Sequence, residues 1–244
     1  MQYQTICEGR FVARPNRFIA HVETEEGLQV CHVKNTGRCR ELLVPGARVW
    51  LEECANPARK TKYDLITVEK PTARGPLLIN MDSQAPNRVA EEAIAQGKLL
   101  LPGFDGPPAL LRREVTQGES RFDLFAGGNG PDTFVEVKGV TLEEKGGVFF
   151  PDAPTIRGAR HLRRLAALSR EGTGAAVLFV IQMERADFFA PNRRTHPDFA
   201  QALLEAAQSG VTLLAHRCRV TPSSLVLDDP VPILLEPSER SDTL

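Results

Sequence analysis

Over residues 120–141, apolar and polar positions alternate on both sides of a turn-rich break. Ser120-Arg121-Phe122-Asp123-Leu124-Phe125 comes first, Gly127-Gly128-Asn129-Gly130-Pro131-Asp132 supplies the break, and Thr133-Phe134-Val135-Glu136-Val137-Lys138-Gly139-Val140-Thr141 follows. This predicts two strands joined by a tight connection. Similar period-two runs, separated by Gly9, Pro15-Asn16, Gly27, Gly37 and Pro45-Gly46, predict strands over residues 3–7, 18–23, 29–33, 48–52 and 63–69. Five short strands at this spacing suit a small closed or partly closed barrel. Pro71, Gly75-Pro76 and Ala85-Pro86 then bracket a short strand over 77–80 and place a domain boundary near residue 84.

Beyond that boundary the period changes. Residues 87–97 open on Asn87, a capping type, and close on Gly97, which predicts a helix. Apolar stripes of helical period predict two more, over 155–170 and 197–209, and strands are expected over 110–116 and 211–215. The nearly continuous apolar run 175–182 reads as a strand buried on both faces. The expected architecture is therefore two domains, a small β-barrel over 1–84 and an α/β mixed sheet flanked by helices over 85–235, with a polar tail over 236–244.

Composition narrows this without redirecting it. The 244 residues are 42% hydrophobic and 25% charged, ordinary for a soluble globular protein. With a net charge of −1 there is no global basic field, so any affinity for nucleic acid has to come from local patches. Cys7, Cys31, Cys39, Cys54 and Cys218 form no C-x-x-C pair, which argues against a zinc knuckle and for reduced thiols. No apolar run reaches 18 residues, and a cytoplasmic location with no membrane partner is expected. Walker A, G-x-G-x-x-G and G-x-S-x-G patterns are all absent, against an NTPase, a dinucleotide enzyme or a serine hydrolase.

The chemistry concentrates in the opening pair of strands. Glu136 and Lys138 are two apart and share a face, while Val135 and Val137 take the other. An acid and a base together on a core strand carry a desolvation cost; a solvated strand face is the competing reading. Asp123, thirteen residues upstream across the turn, can meet Glu136 laterally. Asp132 cannot, lying about 13 Å away along nearly the same strand. Asp123, Glu136 and the Val137 carbonyl make an oxygen set suited to Mg²⁺ or Mn²⁺, and Lys138 beside them suits phosphodiester chemistry.

Asp123 with Glu136-Val137-Lys138 resembles the D…(D/E)-x-K core of restriction-endonuclease-like nucleases. More widely, the chain resembles the sugar fermentation stimulation protein A family. The stretches that carry this are Arg17-Phe18-Ile19-Ala20, His32-Val33-Lys34-Asn35-Thr36-Gly37-Arg38, Ser83-Gln84-Ala85-Pro86-Asn87, Ser120-Arg121-Phe122-Asp123, Val135-Glu136-Val137-Lys138, Phe150-Pro151-Asp152-Ala153, Arg157-Gly158 and His161-Leu162. The resemblance implies an N-terminal OB-fold, a C-terminal nuclease-like domain, DNA binding and an association with regulation of sugar-utilisation genes. Where the family usually has Gln-Lys before His161, this chain has Ala159-Arg160. Glu92 matches the family's Glu-Ala-(hydrophobic) position on the first helix, where an acid can lean into the metal site; a solvated first-turn glutamate is the alternative.

Two groups of cations are candidates for binding phosphates. Arg14, Arg17, Arg59, Lys60 and Lys62 sit in or beside barrel loops, with Phe11, Phe18, Trp50 and Tyr63 nearby; the alternative has the rings filling the barrel and the arginines solvated. On the 155–170 helix the wheel opposes Arg157, Arg160, His161 and Arg164 to Leu162, Leu165 and Ala166. Its five arginines have no acid among them, a repulsion that the DNA backbone would relieve. Two functions follow: a metal-dependent DNA nuclease, acting on DNA that is single-stranded or bound without sequence preference, or a non-catalytic DNA-binding regulator with a vestigial site.

Overall fold

The computed structural model describes residues 1–35, 37–56 and 58–236. Residues 237–244, most of the expected tail, lie outside the described residues. The first sheet contains β1 (Ile6–Asn16), β2 (Ile19–Thr24), β3 (Gly27–Val33), β4 (Arg48–Glu53), β5 (Tyr63–Lys70) and β6 (Leu77–Asn80), in the order β3-β2-β1-β4-β5-β6. A parallel pairing of β3 with β5 closes the first five strands into a barrel, an OB-fold, and β6 extends it beyond β5.

Alternation sets the barrel interior, where Ala20, Val22, Cys31, Val33, Leu51 and Leu65 are fully buried. The first strand departs from expectation. It begins at Ile6 and runs straight through Gly9, which sequence reading takes as a break. A β-carbon at Gly9 would stand 2.5 Å from Val22 Cγ1 and 2.7 Å from the Glu23 carbonyl oxygen, so the glycine permits close strand approach. Tyr3 lies outside the barrel; its N–H donates to the Ser223 carbonyl at 2.8 Å, next to a Gln2–Ser224 bridge.

The second region runs α1 (Ala85–Ala95), β7 (Leu110–Gln117), β8 (Ser120–Gly127), β9 (Thr133–Val140), β10 (Leu142–Glu144), β11 (Gly147–Phe150), α2 (Ile156–Arg170), β12 (Gly174–Ile181), β13 (Phe188–Pro191), α3 (Pro197–Gln208), β14 (Thr212–Thr221) and β15 (Ser224–Pro230). Its main sheet is mixed, in the order β15-β14-β12-β9-β8-β7; β9, β12 and β14 are parallel, and the edges are antiparallel. The three-stranded sheet β10-β11-β13 escapes sequence reading because its members are three or four residues long. β12 is buried on both faces, as its apolar run demands. On one face Val177, Phe179 and Ile181 pack with Leu162, Leu165, Phe199 and Leu203 of α2 and α3. On the other, Leu178 and Val180 join Val89, Ala93 and Ile94 of α1. The α2-side core continues into the barrel interior through residues such as Val68 and Ile79.

Candidate functional site

β8 and β9 pair antiparallel with Leu124 opposite Val135, a register that sets Asp123 opposite Glu136. Pairing ends at that step. Beyond it, the edge of β9 is free for side chains, and the Val137 N–H donates to Asp123 Oδ2 at 2.8 Å. The carbonyl of a strand residue points the same way as its N–H, so the Val137 carbonyl faces this edge too. Asp123 Oδ1 accepts from Asn87 Nδ2 of α1 at 2.8 Å.

Glu136 sits on the α2 side of β9 and is 2% exposed. Its Oε1 accepts from Lys138 Nζ and lies 2.6 Å from His161 Nδ1. Arg157 Nε donates to His161 Nε2 at 3.3 Å, which leaves Nδ1 to carry the proton given to Glu136. Glu136 Oε2 is buried and has no hydrogen-bond partner. Burial raises the Asp123 carboxyl above its ordinary pKa, and the neighbouring Glu136 adds to this. Burial also works upward on Glu136, but His161 and Lys138 outweigh it and hold that carboxyl below the usual range.

These donors fit a hard divalent ion. Glu136 Oε2 is a buried acceptor lacking a donor, Asp123 lies across from it, and the Val137 carbonyl edge is adjacent. Among the described residues no cluster of three or more His, Cys, Asp or Glu side chains is placed to hold a metal. The set is thus two carboxylates and a carbonyl, which suits an ion that keeps several waters.

Other expected residues fall elsewhere. Glu92 does not enter the site: it lies 2.7 Å from the Met1 ammonium and 3.1 Å from Arg88. Burial pushes its carboxyl up, but these two cations bring it below its ordinary value. The residue of α1 that does reach the site is Asn87, in the first turn. It is not the cap, since the helix begins at Ala85 behind Gln84. His161 does not lie on the cationic arc of α2; at 3% exposure it belongs to the buried stripe and holds Glu136 rather than a phosphate. Part of the arginine repulsion along α2 is relieved within the protein. Arg163 pairs with Asp198 and Glu205 of α3, and Arg164 lies 3.9 Å from Glu171. Arg157 and Arg160 are exposed, and no described acid pairs with them.

The barrel cations divide as well. Arg14 donates to four backbone carbonyls, those of Gly37, Arg38, Arg17 and Asn35, and is a staple rather than a phosphate ligand. Arg59 forks onto Asp64 at 2.7 and 3.0 Å. Lys62 lies over the Tyr63 ring and within 3.6 Å of Glu26 and Glu53. Arg17 and Lys60 are exposed. Phe11 and Tyr63 fill the barrel; Trp50 is buried on its outer face, opposite Glu8 and under the Arg48 guanidinium at 4.9 Å, and Phe18 is exposed.

Sequence reading missed Lys34, although it lies within one of the stretches that carry the family resemblance. Its Nζ is 3.1 Å from Asp64 and 3.4 Å from Asp82. Burial disfavours its charge, but Asp82 and Asp64 hold its pKa up. Asp82 precedes α1, and Gln182 Nε2 donates to the Asp82 and Asn80 carbonyls at 3.0 Å, so this cluster braces the helix that carries Asn87.

The chain matches two family models, "SfsA N-terminal OB domain" over residues 12–77 and "Sugar fermentation stimulation protein RE domain" over residues 84–224. A sugar fermentation stimulation protein homolog of Desulfitobacterium hafniense (strain DSM 10664 / DCB-2) is 48% identical over 235 residues, covering 96% of this chain and 99% of the relative. That of Ruminiclostridium cellulolyticum is 46% identical, covering 96% and 100%. The solved structure of Pyrococcus furiosus SfsA in complex with Ca²⁺ superposes with a TM-score of 0.81 at 27% identity, covering 96% of this chain and 98% of that one.

Proposed function

The chain belongs to the sugar fermentation stimulation protein family, and we propose that it is a divalent-metal-dependent nuclease that binds DNA and hydrolyses phosphodiester bonds. The observation that carries this reading is the buried, unpartnered Glu136 Oε2 opposite Asp123. A buried acceptor without a donor costs roughly 1–3 kcal/mol, more if charged, and invites an explanation such as an ion. The Ca²⁺ complex of the Pyrococcus furiosus relative supports a divalent ion in this fold.

Asp123, Glu136 Oε2 and the Val137 carbonyl would hold Mg²⁺ or Mn²⁺. When bound, such an ion lowers the pKa of a coordinated water and offsets charge on the phosphoryl oxygens. The chain's own residues do the positioning. Asn87 and the Val137 N–H fix both oxygens of Asp123, and His161 and Lys138 hold Oε1 of Glu136, leaving Oε2 without a donor. Lys138 Nζ, held at Glu136 Oε1, would then orient the attacking water or meet the developing negative charge. Arg157 and Arg160, exposed beside His161, would take flanking phosphates.

The direct test incubates supercoiled plasmid and a labelled single strand with the protein in Mn²⁺, Mg²⁺ or EDTA. Metal-dependent nicking or shortening is expected. Intact substrate in every metal, with binding retained, would favour the regulator with a vestigial site.

The cations give a second expectation. Replacing Arg17, Arg157 and Arg160 together by alanine should weaken binding to all sequences alike. It should also flatten log K against log salt by about 0.7–0.9 for each phosphate the variant no longer neutralises. Arg14→Ala should instead loosen the loops it staples. A triple variant with the wild-type slope would make these three arginines plain surface.

A further inference from the structure

β1 ends at Asn16 and β2 starts at Ile19, and these two residues pair, so Arg17 and Phe18 form the tip of a tight hairpin. Phe18 is 49% exposed, whereas Phe11, Trp50 and Tyr63 are all buried. The tip is fixed from beneath. Arg14 Nη2 donates to the Arg17 and Asn35 carbonyls at 2.7 Å, and its Nη1 donates to those of Gly37 and Arg38 at 3.0 and 2.7 Å. The Phe18 N–H donates to Asn16 Oδ1 at 2.9 Å, and the Arg17 guanidinium lies 5.9 Å from the ring centroid. An apolar ring is thus held out in solvent, with a cation beside it, on a rigid support.

A second observation extends the site. Alternation puts Val22, Cys31 and Val33 inside the barrel and Leu28 and Val30 outside, where they are 62% and 49% exposed; Val12 on β1 is 41% exposed. In register Val30 stands opposite His21 and Leu28 opposite Glu23. Exposed apolar side chains therefore follow the outer face of β3 away from the tip, beside His21 and Glu23 of β2. One loop links the tip to the second region: Gly37, stapled by Arg14, packs against Asp152, four residues before α2 and its Arg157.

We propose that Phe18 is a base-stacking site and that it makes unpaired, single-stranded nucleic acid the preferred substrate class of the Asp123–Glu136 site. The inference rests on the nuclease reading and deepens it. Only an unpaired base can offer its flat face to a ring on the protein surface. In a duplex those faces are stacked on their neighbours, leaving phosphates for Arg17 alone. Together the ring, the neighbouring cation and the apolar strip match a strand with its bases turned toward the protein better than they match a duplex.

The test is fluorescence anisotropy in EDTA, with an oligothymidylate of about 15 nucleotides, within reach of one OB barrel, and a duplex of equal length. Phe18→Ala should lose roughly tenfold or more in affinity for the strand and less than about twofold for the duplex. Phe18→Trp should keep strand affinity, and its indole emission should change when the strand is added. Equal losses on both forms, or no loss, would overturn the inference. So would a Phe18→Ala variant that binds the strand normally but changes its sedimenting mass, because the ring would then cover a second copy of the chain. Wild-type protein that binds neither form would remove the nuclease reading as well, whereas binding with an unaffected Phe18→Ala removes this inference alone.

Discussion

Lys138→Met should give a folded, metal-binding protein that cleaves phosphodiester bonds at least about a hundredfold more slowly, roughly 3 kcal/mol less transition-state stabilisation. Lys138 Nζ donates to Glu136 Oε1, and its side chain is 17% exposed. The ammonium is therefore held at the carboxylate that faces the site. Methionine keeps the apolar stem, so packing changes little. Glu136 keeps its hydrogen bond with His161 after the change, which moderates the usual cost of removing one member of a buried ion pair. Cleavage rate, calorimetric Mn²⁺ binding and a thermal melt are measured together. Wild-type cleavage by a folded variant would exclude a role for Lys138 in the chemistry.

The two carboxylates should respond to neutralisation with opposite signs, because the site treats them differently. Burial and Glu136 raise the Asp123 pKa above its unfolded value. Ionised Asp123 therefore works against folding above the folded-state pKa, and this penalty disappears as pH falls below the unfolded one. Asp123→Asn, without metal, should melt at or above the wild-type temperature at neutral pH, and the gain should fade on acidification. Glu136 has a lowered pKa; its ionised form stabilises the fold above the unfolded value, and that contribution is lost as pH falls through the folded one. Glu136→Gln removes the counter-charge of Lys138 and weakens the acceptor of His161, so it should melt lower at neutral pH, at a cost of about 3–5 kcal/mol. Added Mn²⁺ should raise the wild-type melting temperature, corresponding to about 2.7 kcal/mol at a hundred times Kd. It should raise neither variant's. An equal rise in all three would put the ion elsewhere.

Period-two alternation with glycine and proline breaks determined most of the barrel strands, since a strand that buries one face has to alternate. The Gly-rich break placed Asp123 and Glu136 on partnered strands, because a hairpin's register is set by its turn. The continuous apolar run of β12 announced a strand covered on both faces. Those are local signals, and they were legible. What failed involved residues far apart in the chain that meet only in the fold. Gly9 has the composition of a break, yet it lies within β1 because Val22 and Glu23 crowd it from the neighbouring strand. His161 is polar and flanked by arginines, so a helical wheel put it outside. Only the packing of α2 on the sheet brings it to within 2.6 Å of Glu136. Glu92 matched a family position, but the orientation of α1 turns it to Met1 and Arg88 and gives Asn87 the hydrogen bond to Asp123. Arg14, expected to bind phosphate, became an internal staple, and of the four rings expected to face bases only Phe18 stands in solvent while Phe11, Trp50 and Tyr63 are buried. Burial and hydrogen-bond partners depend on how elements meet across the fold, and residue type alone carries no record of that meeting.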